Sequence, residues 1–142
     1  MLHLFKQLFP TRTEFLGTQG APTDAPILEA INAHVRWRHR LEEYANGRSR
    51  EALDHDTVGS DRHCALGRWI HGSGMTLYGR YPSFETLRQR HADFHFCAAQ
   101  VVSLVQRGDL TEAQRVLAGD YARISRAVVN DLLQLNQEFF AP

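Results

Sequence analysis

The sequence predicts an all-α fold, an antiparallel bundle of three long helices with one or two short ones. Apolar residues recur at intervals of three and four over three long segments, as the buried face of a helix requires. The alternation of apolar and polar residues that a half-buried strand would show is absent. With 142 residues and a hydrophobic fraction of 43%, the chain is long enough to form one domain with a substantial core.

Composition excludes several classes of protein. The 16 basic and 16 acidic residues balance, so no basic excess is available for phosphates and no nucleic-acid partner is expected. No apolar segment reaches the roughly 18 residues of a membrane span, so no membrane partner is expected either. Two cysteines are too few for a disulfide-stabilised secreted scaffold. We therefore expect a cytoplasmic protein.

Residues 1–24 differ from the rest of the chain. Apolar residues between Leu2 and Phe9 share one face of a possible two-turn helix, and residues 17–24 are rich in turn formers. This segment is predicted to be an N-terminal extension with a short helix and a linker. The bundle is predicted to occupy residues 25–142.

The first long helix is predicted to begin at Asp24, as N-cap, and to end near Asn46. Residues 48–62 are polar and predict a loop. A short helix should follow over residues 63–71, with Asp61 as a candidate cap.

Residues 72–82 predict a second loop because they are rich in glycine. Ser83 is the expected N-cap of the second long helix, which should end at Gly108. Thr111 begins a capping box for the last helix, which carries a continuous apolar face.

Histidines lie on the apolar faces of two predicted helices. His91 and His95 are four residues apart, so they share one helix face and are suited to bind a single metal ion. They could also be polar residues at a helix edge. His34 lies on the apolar face of the first long helix, where a lone histidine is more often a hydrogen-bonded core residue. Three histidines on facing surfaces favour a metal site.

Cys64 lies at the start of the short helix, where free N–H groups favour the thiolate that zinc requires. One cysteine and three histidines form a ligand set suited to tetrahedral zinc: His34, Cys64, His91 and His95. A zinc ion in the core of the bundle is therefore predicted.

Two further residues are weaker candidates. Cys97 follows His95 by two positions, which turns it about 200° around the helix, so it is interpreted as a packing residue. His63 competes with Cys64, although neighbours on a helix point about 100° apart.

Four residues are candidates to support the ligands. Asp61 and Asp93 could accept a hydrogen bond from the far ring nitrogen of a ligand histidine. Trp37 and Trp69 either enclose the site or pack in the core.

Three segments carry a resemblance to a known family. They are His34-Val35-Arg36-Trp37, Cys64-Ala65-Leu66-Gly67-Arg68-Trp69 and His91-Ala92-Asp93-Phe94-His95. From about residue 25 to 135, the chain resembles the chemoreceptor zinc-binding domain, CZB, a cytoplasmic bacterial sensory module.

The resemblance implies a helical bundle that forms a homodimer and binds Zn²⁺ through His34, Cys64, His91 and His95. It also implies sensing of zinc, or of oxidants such as hypochlorous acid, through a redox-sensitive Cys64. In the family the domain is attached to chemotaxis receptors or diguanylate cyclases. This sequence contains no GGDEF motif, so a chemoreceptor or diguanylate cyclase is expected as a partner in trans.

An enzyme is not expected, because four protein ligands leave no open position for water. Two alternatives remain at this point. One is a di-iron, oxygen-binding bundle, although no Glu precedes a core His by three residues as such proteins require. The other is a structural, dimerising bundle, in which zinc is a staple or the histidines are merely buried.

Overall fold

The computed structural model describes residues 25–140, and their regular structure is entirely helical. The predicted all-α class is confirmed for these residues. The long helices are α1 (Ala25–Ala45), α5 (Pro82–Gln106) and α7 (Ala122–Phe140). The short helices are α2 (His55–Gly59), α3 (Ala65–Ile70), α4 (Ser73–Tyr78) and α6 (Leu110–Val116).

The predictions for residues 1–24, including the short helix, the linker and the Asp24 cap, lie outside the described residues. Within the described residues, no helix is both long enough and apolar enough to cross a membrane.

Helix α7 runs antiparallel to α5. At one end of the pair, Ser83 donates a hydrogen bond to Glu138. Further along α5, Arg90 forms an ion pair of 2.8 Å with Asp131. In these two contacts the residue number rises along α5 and falls along α7, so the two helices are antiparallel.

Helix α7 has the same relation to α1. Ser125 contacts His34 at 3.0 Å, and the hydroxyl of Tyr121 donates to the carbonyl oxygen of Arg38 at 3.1 Å. Helices α1 and α5 therefore run in the same direction, and the short helices α2 to α4 lie in the connection between them.

The core is centred on Phe94, whose side chain is completely buried. Its ring contacts His34 from α1 and Tyr121 from the α7 side, with centroids 4.6 and 4.9 Å away. Trp37 packs against it at 5.6 Å. The histidine faces of α1 and α5 therefore meet around one aromatic residue.

The predicted loops contain additional helices. Helix α2 lies within the predicted loop 48–62, where the Asp54 side chain accepts from the backbone N–H of Thr57 as a cap. Helix α4 lies within the predicted glycine-rich loop 72–82. Both helices have only five or six residues, too few for an apolar period to show in the sequence.

Three predicted caps were wrong. The short helix α3 is capped by Cys64, so Asp61 does not serve as its cap. Tyr81 is the N-cap of α5, with Pro82 in the first turn, and Ser83 lies inside the helix. Asp109 caps α6 by accepting from the N–H of Glu112, so Thr111 is not the cap.

The last predicted helix is divided into two. A π-helical turn, Leu117–Tyr121, joins α6 to α7, and Gly119 within it has a non-helical backbone (φ −99°, ψ −106°). The break turns the chain so that Tyr121, which is fully buried, reaches Phe94.

The Phe94→Ala variant should lower the free energy of unfolding by about 3–5 kcal/mol, because it leaves a cavity in the centre of the core. Phe96→Ala is the matched control on the same helix, since 68% of its side chain is exposed. It should change stability by less than about 0.5 kcal/mol. Urea denaturation of both variants measures the difference, and equal losses would contradict the described core.

Candidate metal centre

Three donor atoms converge from two elements. Cys64 provides its Sγ from the N-cap of α3, and His91 and His95 provide Nε2 from consecutive turns of α5. The Sγ lies 3.3 Å from each Nε2, and the two Nε2 atoms are 3.1 Å apart. These residues form the group that could hold a metal ion among the described residues.

The distances fit one tetrahedral zinc ion. With Zn–N near 2.05 Å and Zn–S near 2.3 Å, two nitrogen ligands should be about 3.3 Å apart, and sulfur and nitrogen ligands about 3.6 Å apart. The three separations lie within a few tenths of an ångström of these values. Little movement is needed for the three side chains to bind an ion together.

His95 is held in the tautomer that a metal requires. Its Nδ1 lies 2.7 Å from the carbonyl oxygen of Val58, which can only accept a hydrogen bond. Nδ1 therefore carries the proton, and Nε2 keeps a lone pair directed at the cluster. The contact of Val58 could not be predicted from the sequence, because a backbone carbonyl leaves no signal in the residue type.

The imidazoles are neutral in this core. Burial, together with the neighbouring His95, lowers the pKa of His91 to about 3. Burial is also the main cause that lowers the pKa of His34 to about 3 and the pKa of His95 below its ordinary value. The neutral imidazole is the form that binds metals.

Within the described part of the chain, the two ring nitrogens of His91 lack strong hydrogen-bond partners. His91 is completely buried, and its Nδ1 has no hydrogen-bond partner among the described residues. Its Nε2 faces another nitrogen and a sulfur rather than a strong acceptor. A cation between the three donor atoms would satisfy the lone pair of Nε2, whereas Nδ1 would still need a separate partner.

The pKa of the Cys64 thiol is raised, whereas its position at the start of a helix predicted a lowered pKa. The N–H of Gly67 donates to Sγ at 3.2 Å, and the backbone N–H groups of Gly67 and Leu66 favour the thiolate as expected. Burial outweighs them and raises the pKa of Cys64. A metal ion would supply the positive charge that the thiolate needs.

The backbone geometry next to Cys64 requires glycine at position 67. A Cβ at this position would overlap the carbonyl oxygen of Asp61 and lie 2.8 Å from its carbon. Only glycine allows α3 to fold back against the preceding backbone. That close approach places the Gly67 N–H against the sulfur and directs Cys64 towards α5.

His34 lies in the same core but outside the group of three donors. Its side chain is 2% exposed, and its Nε2 lies 3.0 Å from Ser125 Oγ. Its ring packs against Phe94, which follows His91 by three residues on α5. Its role as a fourth ligand stays a prediction.

The candidate supporting residues have different positions. Trp37 packs its ring against His95, with centroids 4.8 Å apart, and so encloses the site on one side. Trp69 packs against Tyr78 and Phe84 in the aromatic core. Asp61 contacts His71 Nε2 at 3.0 Å.

The remaining candidates are outside the donor group. Asp93 is exposed and lines a groove together with the buried Cys97. His63 is exposed beside Cys64. None of these three residues is in the group of three donors.

Fold and site together define an all-helical domain with a cysteine–histidine group that could hold a metal ion. The family model of the chemoreceptor zinc-binding domain (CZB) matches residues 34–102, just under half of the chain, and this range includes all four predicted ligands. The resemblance that the motifs indicated is confirmed over residues 34–102, which match the model of this zinc-binding domain. Comparisons with curated proteins and with solved structures found no significant match.

Cys64→Ser should reduce zinc affinity by more than about 100-fold, because it removes a ligand and not merely a supporting contact. Cys97→Ser is the matched control and should keep an affinity close to that of the unmodified protein, since Cys97 is outside the donor group. Competition with a chromophoric chelator measures both constants. Equal affinities in the two variants would contradict the assignment of Cys64.

Proposed function

We propose that this protein is a cytoplasmic zinc-binding sensory domain, in which His34, Cys64, His91 and His95 hold one Zn²⁺ in the core of the bundle. The observation that carries the proposal is the convergence of Cys64, His91 and His95 at the separations of a single tetrahedral ion. The family match over residues 34–102 supports zinc as the metal.

Zinc would add a direct link between the Cys64 segment and α5. Cys64 precedes a helix of only six residues, whereas its partners lie on the 25-residue helix α5. Because the free energy of metal binding adds to that of folding, occupancy would hold the Cys64 segment against α5. Loss of zinc would release this segment, and its release is the proposed signal.

His34 is the proposed fourth ligand. It is neutral, nearly fully buried and packed on Phe94 beside the donor group. If it binds the ion through Nε2, its ring leaves Ser125 on α7. Zinc binding would thus exchange a contact between α1 and α7 for one between α1 and α5, which connects occupancy to helix packing.

Oxidation of Cys64 is the second proposed trigger. A two-electron oxidant such as hypochlorous acid transfers oxygen to the thiolate, which becomes sulfenic acid as chloride leaves. Sulfenic acid is a weaker zinc ligand, so the ion and the Cys64 segment would be released together. Both triggers act on the same residues. In the first, the loss of zinc is the initial event, and in the second it is the oxidation of Cys64.

Output would require another chain. The proposed assembly is a homodimer that acts on a chemoreceptor or a diguanylate cyclase in trans. A regulatory role without catalysis is proposed because four protein ligands close the coordination sphere.

The donor set favours zinc over the di-iron alternative. The group contains a thiol and two imidazoles, and no carboxylate belongs to it among the described residues. Di-iron bundles bind their metals mainly through Glu and Glu-x-x-His pairs. Sulfur and nitrogen donors in a tetrahedral arrangement are typical of zinc.

Elemental analysis of the purified protein should find about one zinc per chain. Stepwise addition of hypochlorous acid should release zinc in parallel with the loss of the Cys64 thiol. Release without thiol loss, or thiol loss with zinc retained, would contradict the redox trigger. Absence of zinc from the folded protein, even after reconstitution, would contradict the zinc site itself.

Ser125→Ala tests whether His34 must leave Ser125 to bind zinc. Loss of a competing hydrogen bond worth about 0.5–1.5 kcal/mol should leave zinc affinity unchanged or strengthen it by up to about tenfold. Ser103→Ala on α5 is the control and should have no effect. Weaker zinc binding by the Ser125 variant would show instead that this hydroxyl orients His34 as a ligand.

A further inference from the structure

A cavity of about 530 Å³ lies against one edge of the metal centre. Its lining includes Cys64 and His95, together with the ring of Trp37 and the apolar side chains of Leu41 and Val58. This volume is within the range of small-molecule sites, roughly 300–1,000 Å³. The cavity can therefore admit a small molecule as far as the sulfur.

The cavity reaches the most accessible residue of the centre. His91 is fully buried, and His34 and His95 are each 2% exposed, whereas Cys64 is only half-buried. Two further grooves lie along α5, and neither includes Cys64 or one of these histidines. Of these three openings, the cavity is therefore the one that reaches the thiol.

Three residues with a formal charge line this cavity: Arg40, Asp54 and Arg68. Arg40 is neutralised by its ion pair with Glu51. Arg68 is exposed and donates to the carbonyl oxygen of His63 at 3.1 Å, so that contact does not compensate its charge. The Asp54 carboxylate caps α2, whereas Arg68 follows Cys64 by four residues and is the charged lining residue that favours its thiolate. An anion at the sulfur would therefore be close to a guanidinium.

We propose that this cavity is the access route by which small reactants reach Cys64, and that Arg68 makes it selective for anions. The chemical class is a small anionic molecule that reacts with a thiol or binds a metal. The access route to the sulfur does not depend on a bound metal. The role of this route in sensing rests on the proposed function.

The test measures alkylation of Cys64 in the metal-free protein with two reagents of similar size, anionic iodoacetate and neutral iodoacetamide. In each reaction the sulfur forms a bond to carbon and iodide leaves. Mass spectrometry of the Cys64 peptide separates this reaction from any at Cys97. The ratio of the two rates cancels differences in thiolate content, because both reagents react with the thiolate.

Ala52→Trp should block the route, because Ala52 is exposed and lines the cavity. Both alkylation rates should fall several-fold. Gln100→Trp is the matched control, since Gln100 is exposed and lines the two other grooves. It should leave both rates unchanged. Circular dichroism confirms that both variants are folded.

Arg68→Gln should lower the iodoacetate-to-iodoacetamide ratio by about two- to fivefold, the effect of one exposed charge. Arg107→Gln, beside another groove, should not change the ratio. Unchanged rates in the Ala52 variant would overturn the route, and an unchanged ratio in the Arg68 variant would overturn the anion selectivity. Because the protein is metal-free, a failure of zinc binding would leave these results interpretable.

Discussion

Burial of three uncharged histidines is the constraint on which the rest of the structure depends. His34, His91 and His95 lie in an apolar core where the imidazolium form is strongly disfavoured. Each ring must find partners for its nitrogens inside the protein. Ser125 contacts His34 and the Val58 carbonyl accepts from His95, whereas Nδ1 of His91 is without a partner among the described residues.

The connection between α1 and α5 follows from the same constraint. A tightly folded segment has to bring a sulfur to two nitrogens fixed on a long helix. Cys64 caps α3, Gly67 allows the helix to fold back, and the Asp61–His71 contact joins the start and end of the segment. The thiol is thereby placed at the edge of the core, where a cavity reaches it from outside.

Much of the site was predictable because helical periodicity identifies buried positions. His91 and His95 are four residues apart on an apolar face, and their burial confirms that expectation. The contacts of Val58 and Ser125 were not predictable. A backbone carbonyl and a lone serine acquire their roles only when distant helices pack together. The predicted caps at Asp61, Ser83 and Thr111 were wrong because a nearby residue provided the cap, as Cys64 and Asp109 show.

The measurement that tests the central claim most directly is X-ray absorption spectroscopy at the zinc edge of the reconstituted protein. The account predicts one sulfur at about 2.3 Å and three nitrogens at about 2.0–2.1 Å. The sulfur contribution should disappear in Cys64→Ser and persist in Cys97→Ser. A shell of nitrogen and oxygen alone in the unmodified protein would contradict the proposed centre.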